Sequence, residues 1–216
     1  GKAYNLKATI SPETLGLEQI VFEVVEVKDW VYSENPFNMS VAESELQAVA
    51  DLGGEYTMTE DINLTTPLVV TAPFTLNLNG HTITAELKQE RRHHYAIDNY
   101  GTLTLEGDGA INARGIENFG TMTINGDITI TNVDTNGGSA IWNEGNLTIN
   151  NGTFTTNDAA VVGSYGSALN TQENGTAVIN GGTFEAYSQL TYAIINYGTT
   201  TINNAVVNAK HGAVAS

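Results

Sequence analysis

Apolar and polar residues alternate with a period of two in a block that recurs along the second half of the chain. Alternation of this period indicates β-strands with one buried face. No stretch between the copies has the length and apolar period of a helix. Self-similarity at a spacing of 19 to 28 residues therefore predicts a solenoid made of strands. The copies begin at Ala96, Gly115, Ala140, Ala168 and Ala193, of which the fourth is degraded.

Each copy divides into three short strands separated by turns. A first strand ends at an Asn, an Asn-x-Gly turn leads to a second strand such as Leu147-Thr-Ile149, and Asn and Gly residues precede a third such as Thr153-Phe-Thr155. Asn and Gly favour tight turns. Three strands and three turns per coil predict an all-β parallel β-helix of about six coils. The aliphatic residues expected to stack as one interior column are Ile97, Ile116, Ile141, Leu169 and Ile194.

A short amphipathic helix is predicted at the entrance to the solenoid. Ser40 and Glu43 have the spacing of a capping box, and Gly53-Gly54 ends the pattern. Between them one apolar stripe is formed by Ala42, Leu46, Val49 and Ala50. We expect this helix to cover the open end of the first coil, whose unpaired strands would otherwise promote aggregation.

The entrance segment carries a family resemblance. Glu45–Ile83, with Leu46-Gln-Ala-Val-Ala, Gly53-Gly54 and Leu76-Asn-Leu-Asn-Gly80, resembles the opening of right-handed parallel β-helix proteins of the pectate lyase-like superfamily. The resemblance implies a right-handed β-helix over residues 37–216. That superfamily includes lyases, glycoside hydrolases, adhesins and noncatalytic surface proteins, so the resemblance implies the fold more firmly than any activity.

Residues 1–36 resemble a different protein class, the tail of a fimbrillin-like β-sandwich from surface proteins of gut bacteria. The resemblance rests on Tyr4-Asn-Leu-Lys-Ala8 and on Ile20-Val-Phe-Glu-Val24 running to Trp30. We therefore expect a strand segment in residues 1–36 that belongs to a preceding domain, followed by the β-helix.

Charge and composition narrow the classes of partner. The net charge is −16, with 24 acidic residues against 8 basic residues. Nucleic acids and anionic membranes are poor partners for such a chain, because binding them requires Lys and Arg. There is no cysteine, and no apolar run is long enough to span a membrane. The composition favours an extracellular or outer-membrane surface location, with a glycan or a surface protein as partner.

One Asn recurs directly after the first strand of the coils. Stacked coils place equivalent residues about 4.8 Å apart, so the side-chain amides can bond from coil to coil in a ladder. The alternative is a polar stripe that binds a ligand. The residues concerned are Asn99, Asn118, Asn143 and Asn196.

Two carboxylates precede this Asn in successive copies. Asp98 and Glu117 could hold Ca²⁺ or act as an acid and base pair, whereas the same position later holds Trp142 and Ile195. A pectate lyase would need more acids on one face and an Arg base. A polygalacturonase would need an Asp trio with Gly-His-Gly, and the nearest match is Gly80-His81-Thr82. Beyond weak Ca²⁺ binding, no metal or cofactor is predicted.

The sequence Arg91-Arg92-His93-His94-Tyr95 is a basic cluster in a turn of this acidic chain. The two arginines could bind an anionic sugar while Tyr95 stacks against it. Arg92 and His94 could also supply a base and a charge partner for catalysis near Asp98. The structural alternative is pairing with nearby acids. Adjacent histidines on a strand point to opposite sides, which disfavours joint metal binding.

Aromatic residues provide the remaining candidates for binding. Trp142, Tyr165 and Tyr187 could form a sugar-binding face, or they could pack at the coil edges. Together these patterns favour a noncatalytic surface protein that serves adhesion or glycan binding. The alternative is a polysaccharide lyase or glycoside hydrolase of the pectate lyase-like fold. None of the nucleophile, phosphate or dinucleotide motifs of other enzyme classes is present.

Overall fold

The computed structural model describes residues 39–85, 87–89, 92–134, 137–156, 166–187, 192–210 and 212–215, with the backbone alone for 88–89 and 92–93. These residues form the right-handed parallel β-helix expected from the repeat. The strand segment expected in residues 1–36 lies outside the described residues, so its assignment to a preceding domain stays a prediction.

Three parallel sheets of seven strands each make up the solenoid. Sheet A contains β1 Gly54–Thr57, β4 Pro73–Asn77, β9 Thr102–Glu106, β12 Thr121–Ile124, β15 Asn146–Ile149, β18 Thr176–Ile179 and β21 Thr199–Ile202. Sheet B contains β2 Ile62–Leu64, β5 Thr82–Ala85, β10 Asp108–Ala113, β13 Asp127–Asn132, β16 Thr153–Thr156, β19 Thr183–Ala186 and β22 Val206–Ala209. Sheet C contains β3 Leu68–Val70, β8 Ile97–Asn99, β11 Ile116–Asn118, β14 Gly138–Asn143, β17 Gly166–Thr171, β20 Tyr192–Asn196 and β23 Gly212–Ala215.

Each coil takes one strand from sheet A, then one from sheet B, then one from sheet C, which gives seven coils rather than about six. In the first coil, β2 has only three residues and lies outside the recurring block. In the second coil the predicted turn around Arg91 contains an antiparallel hairpin, formed by β6 Lys88–Gln89 and β7 Arg92–His93.

The interior is filled by columns of aliphatic side chains in register. The column predicted for sheet C is confirmed: Ile97 pairs with Ile116, Ile116 with Ile141, Ile141 with Leu169 and Leu169 with Ile194. All five side chains are completely buried. Exact stacking follows from the two-residue period of a strand, because a slip by one residue would turn the aliphatic side chains to solvent. The column continues to Val214 of the last coil, which is 48% exposed.

The predicted helix is α1, Val41–Leu52, which packs on the first coil. Its Ser40 side chain caps Glu43 N at 3.0 Å, and Leu46 and Ala50 are buried. The Glu43 carboxylate lies close to the first coil, where Thr65 N at 2.6 Å and Thr66 N at 3.2 Å donate to it. Within the described part of the chain, no helix has the length and apolarity needed to cross a bilayer.

Gln47 of α1 closes the free edge of sheet C. Its side chain accepts a hydrogen bond from Val69 N at 3.0 Å and donates one to Val69 O at 2.9 Å. The amide thereby imitates the backbone of a neighbouring strand and satisfies groups that a first coil leaves unpaired. The cap therefore works through side-chain hydrogen bonds as well as through apolar cover.

The three corners of the coil differ in their tolerance of insertions. Turns from sheet C to sheet A are two residues long, except for Gln172–Gly175 after β17. The connections from sheet B to sheet C vary most in length. The connection after β10 has two residues, whereas the one between β5 and β8 is long enough to carry the hairpin. The outer face of sheet C therefore lies between a corner of variable loops and a corner of nearly constant tight turns.

Candidate functional site

Side chains on the outer face of sheet C form a column along the solenoid axis. The backbone register places Asp98 beside Glu117, Glu117 beside Trp142, Trp142 beside Asn170 and Asn170 beside Ile195. Four of these residues are half-buried, and Asn170 is 7% exposed. The strand residue that precedes each of them is buried. From Asp98 to Ile195 the column is about 19 Å long, because successive coils lie about 4.8 Å apart.

A second row runs parallel to this column at the corner between sheets C and A. It holds the residue that follows the last residue of each sheet C strand from β8 to β20. We call the column and this row together the strip. Its members are Asp98, Glu117, Trp142, Asn170 and Ile195 in the column and Tyr100, Phe119, Glu144, Gln172 and Tyr197 in the turn row.

Hydrogen bonds hold the column and the turn row in fixed relation. The Trp142 indole Nε1 donates to Glu144 Oε1 at 2.9 Å, and Gln172 Nε2 donates to Asn170 Oδ1 at 2.6 Å. Each bond joins residues two apart in sequence, one on the sheet and one in the turn. These contacts restrict the rotamers of the side chains before any ligand arrives, which lowers the entropic cost of binding.

Exposed aromatic rings occupy both ends of the turn row. Tyr100 and Phe119 stack with centroids 4.9 Å apart and planes inclined by 3°. Their exposed fractions are 56% and 37%, and that of Tyr197 is 63%. Glu144 and Gln172 lie between Phe119 and Tyr197 in the turn row, so the rings form one stacked pair and one single ring.

Asp98 and Glu117 are the acidic part of the strip. Partial burial, together with the charges of Asp98 and Glu144, raises the pKa of Glu117 to about 6, against an opposing effect of Arg114. Burial also raises the pKa of Asp98, while His94 acts in the opposite direction. Asp98 Oδ1 is buried and has no hydrogen-bond partner among the residues that the structure describes. Among the residues described, no group of three His, Asp or Glu side chains is arranged to hold a metal.

Tyr95 does not provide the stacking face that the sequence suggested. Tyr95 is only 7% exposed, and the guanidinium of Arg114 lies 5.2 Å from its ring centroid. Burial raises the pKa of Tyr95 to about 12. The ring therefore packs beneath Arg114 and offers no stacking face to a sugar. Arg91 and the side chain of Arg92 lie outside what the structure describes.

Arg114 is a cation that sequence analysis overlooked. Its Nη1 lies 2.6 Å from Asp134 Oδ2, and both side chains are mostly buried. The guanidinium stabilises the corner between sheets B and C and opposes the rise in the pKa of Glu117. The repeat does not single out Arg114, because this residue lies in the short turn between β10 and β11 and has no equivalent in the other copies.

The other candidates occupy separate parts of the coil. Tyr187 is 39% exposed just after β19, where its hydroxyl donates to Glu185 Oε2. Trp142 lies within the strip, and His94 is close enough to Asp98 to affect its pKa. Tyr165 lies outside the described residues.

The recurring Asn side chains point into the coil rather than toward a ligand. Asn99 Nδ2 donates to Asn118 Oδ1 at 2.6 Å, and Asn118 Nδ2 donates to Asn143 Oδ1 at 2.7 Å. Thr171 follows in the next coil and interrupts the ladder. Asn196 shares the column but bonds to Gly198 O and Thr200 Oγ1 instead. These side chains are structural, and the solvent-facing stripe is the strip beside them.

A second amide ladder was missed because its residues were interpreted only as turn formers. It runs along the exposed corner between sheets A and B. Asn150 donates to Asn125, Asn180 to Asn150 and Asn203 to Asn180, each at 2.8 Å. The signal was present in the sequence, since an Asn follows the second strand in four consecutive copies.

A shallow cavity opens on the turn row where the one long turn protrudes. It has a volume of about 330 Å³, and we call it the pocket; it is lined by Glu144, Gln172, Glu173, Asn174 and Tyr197. The lining comes from three consecutive turns and combines carboxylates, amides and one phenol ring. Gln172, Glu173 and Asn174 could not be found from the repeat, because the four-residue turn that carries them falls in the degraded copy.

No protein-family model, curated protein or solved structure matches this chain.

Proposed function

We propose that this protein is a noncatalytic, secreted or cell-surface β-helix module that binds glycans along the strip, in the service of adhesion. The observation that carries the proposal is the pairing of exposed aromatic rings with planar polar side chains on one rigid face. A strip that spans five coils suits an oligosaccharide better than a single sugar.

The chemistry of the strip fits sugar recognition. An aromatic ring offers an apolar face to the C–H groups of a pyranose at low conformational cost. Carboxylates and amides nearby accept and donate the hydrogen bonds that hydroxyl groups need. Tyr100, Phe119 and Tyr197 supply the rings, and Trp142 adds an indole that Glu144 holds in place.

The rigid scaffold also favours binding. Parallel strands on both sides fix the backbone beneath the strip, and the buried Asn ladder lies directly behind it. Sites on regular elements are positioned more accurately than sites on loops. The extracellular location and the kinship with the pectate lyase-like superfamily belong to the same proposal, supported by the absence of cysteine, the acidic composition and the entrance motif.

A glycan array of the purified chain, followed by calorimetry on the best oligosaccharide, tests this proposal. We expect Tyr197→Ala and Trp142→Ala each to weaken binding at least fivefold. Val178→Ala, which removes an exposed apolar side chain from the outer face of sheet A, is the matched control and should leave binding unchanged. The proposal would be contradicted if all three variants bound the oligosaccharide as tightly as the unsubstituted protein, or if the protein bound no glycan on the array.

A glycoside hydrolase is the second candidate, and one observation favours it. Asp98 and Glu117 lie on adjacent strands in register, and the pKa of Glu117 is raised to about 6. Retaining glycosidases use two carboxyl groups about 5 Å apart, one of them a general acid with a raised pKa. Hydrolysis would then require Glu117 to protonate the leaving oxygen while Asp98 attacks the anomeric carbon.

We expect no measurable cleavage of pectate, alginate or neutral glycans, with or without Ca²⁺. The column continues as Trp142 and Asn170, so the acidic stretch is two residues long. Reducing-end and unsaturated-product assays check this expectation. If cleavage were observed, and if Glu117→Gln or Asp98→Asn abolished it, the protein would be an enzyme.

A further inference from the structure

The pocket has a charge that restricts which sugars can enter it. Two of its five lining residues, Glu144 and Glu173, are carboxylates, and the other three are neutral. Between residues 115 and 209 the sequence contains no Lys or Arg. The coils that build the pocket therefore offer no fixed cation to an anionic sugar, and a uronate or sulfated sugar would meet only like charge.

The hydrogen-bonding groups of the pocket are biased toward acceptors. A carboxylate accepts hydrogen bonds but donates none when it is ionised. The Trp142 indole uses one oxygen of Glu144, and the second oxygen retains its capacity to accept. A ligand that complements this lining presents N–H donors and positive charge.

Tyr197 adds an aromatic partner for a cation. It is the most exposed of the large aromatic side chains of the strip and contributes to the lining of the pocket. A protonated amine is attracted both to carboxylates and to the face of an aromatic ring. A pyranose that carries such an amine could place its C–H face on Tyr197 and its ammonium group toward the carboxylates.

We propose that the pocket selects sugars with a free, protonated amino group, such as 2-amino-2-deoxyhexoses that are not N-acetylated. This inference rests on the proposed glycan-binding function. Glu144 and Glu173 bind the ammonium group, Tyr197 packs against the sugar ring, and Gln172 and Asn174 bond to hydroxyl groups. Acetylation of the amine removes both the charge and two of the three N–H donors.

Calorimetry with trimers of glucosamine, N-acetylglucosamine and galacturonic acid at pH 6 tests the inference. We expect the glucosamine trimer to bind at least tenfold more tightly than the N-acetylated trimer, and the galacturonic acid trimer not to bind. The double variant Glu144→Gln/Glu173→Gln should abolish the preference between the first two trimers. Glu185→Gln, on the outer face of sheet B, is the control for unspecific attraction to an acidic protein and should retain the preference.

The outcomes separate this inference from the proposed function. Equal binding of the two hexosamine trimers, or a preference that survives in the double variant, overturns the selection of amines while glycan binding stands. If Glu185→Gln also removes the preference for the glucosamine trimer, the selection of amines is overturned too. The attraction of the amine would then not depend on the carboxylates of the pocket. Absence of binding to these trimers and to every glycan on the array overturns both.

Discussion

Asn118 donates its side-chain amide to Asn143 at 2.7 Å, and neither side chain is exposed to solvent. The bond crosses from one coil to the next, parallel to the backbone hydrogen bonds of sheet C. Asn143 Nδ2 in turn donates to Thr176 O at 3.0 Å. Asn99 and Asn118 likewise donate to Thr121 O and Asn146 O, so the ladder satisfies backbone carbonyls at the corner between sheets C and A.

Replacing Asn143 by Leu should destabilise the fold by about 1–3 kcal/mol, because buried polar groups lose their partners. Chemical denaturation measures this loss. Asn150→Leu is the matched control, since Asn150 belongs to a ladder that water can reach. We expect a change within about 0.5 kcal/mol there. Similar losses for both variants would show that burial does not govern the strength of the ladder.

Ile141→Ala should cost about 2–5 kcal/mol, because the side chain is fully buried between Ile116 and Leu169 in the sheet C column. Thermal and urea unfolding check the value. Ile195→Ala is the control, since Ile195 is a half-buried residue on the outer face of the same sheet. A loss well under 1 kcal/mol at Ile141 would contradict the column.

Gly120→Ala should destabilise the coil stack by about 1–3 kcal/mol through overpacking. A Cβ at this position would lie 2.1 Å from the carbonyl oxygen of Gly101 in the preceding coil. The reason for Gly is therefore close approach between turns and not a left-handed backbone. Thr121→Ala alters the neighbouring exposed residue and should change stability by less than about 0.5 kcal/mol. A stable Gly120→Ala protein would show that the turns can separate.

Because of Glu117, we expect the free energy of unfolding to decrease as the pH rises from about 4.5 to about 6. The pKa of this carboxyl is higher in the folded chain than its ordinary value of 4.5, so the folded state binds more protons in this window. The stabilisation is present below pH 4.5 and is lost above pH 6. Because the group is half-exposed, we expect a difference of about 1 kcal/mol or less.

Urea midpoints at several pH values measure this effect. Glu117→Gln should reduce the decline between pH 4.5 and pH 6, to which the raised pKa of Asp98 also contributes, and should stabilise the protein at pH 7. Glu55→Gln changes an exposed carboxylate of the first coil and is the control. An unchanged pH profile in Glu117→Gln would mean that the carboxyl is better solvated than the structure shows.

Much of the architecture follows from local sequence patterns. The alternation in Leu147-Thr-Ile149 specifies which residues of a strand point inward, and its recurrence specifies which residues stack. The same logic identified the column through Ile141 and the cap at Ser40. It missed β2, which has three residues and lies outside the recurring block that identified strands of the same length such as β8 and β11.

The sequence by itself determined the solenoid, its core columns and the position of its capping helix, because these depend on periodicity and on propensities within a single coil. Only the tertiary structure decided which polar residues share a surface. The strip combines residues from five coils, and the burial of Tyr95 under Arg114 depends on loops whose paths no repeat encodes. The pocket arises where one turn is longer than its neighbours, so its lining is set by the stacking of coils and not by any motif.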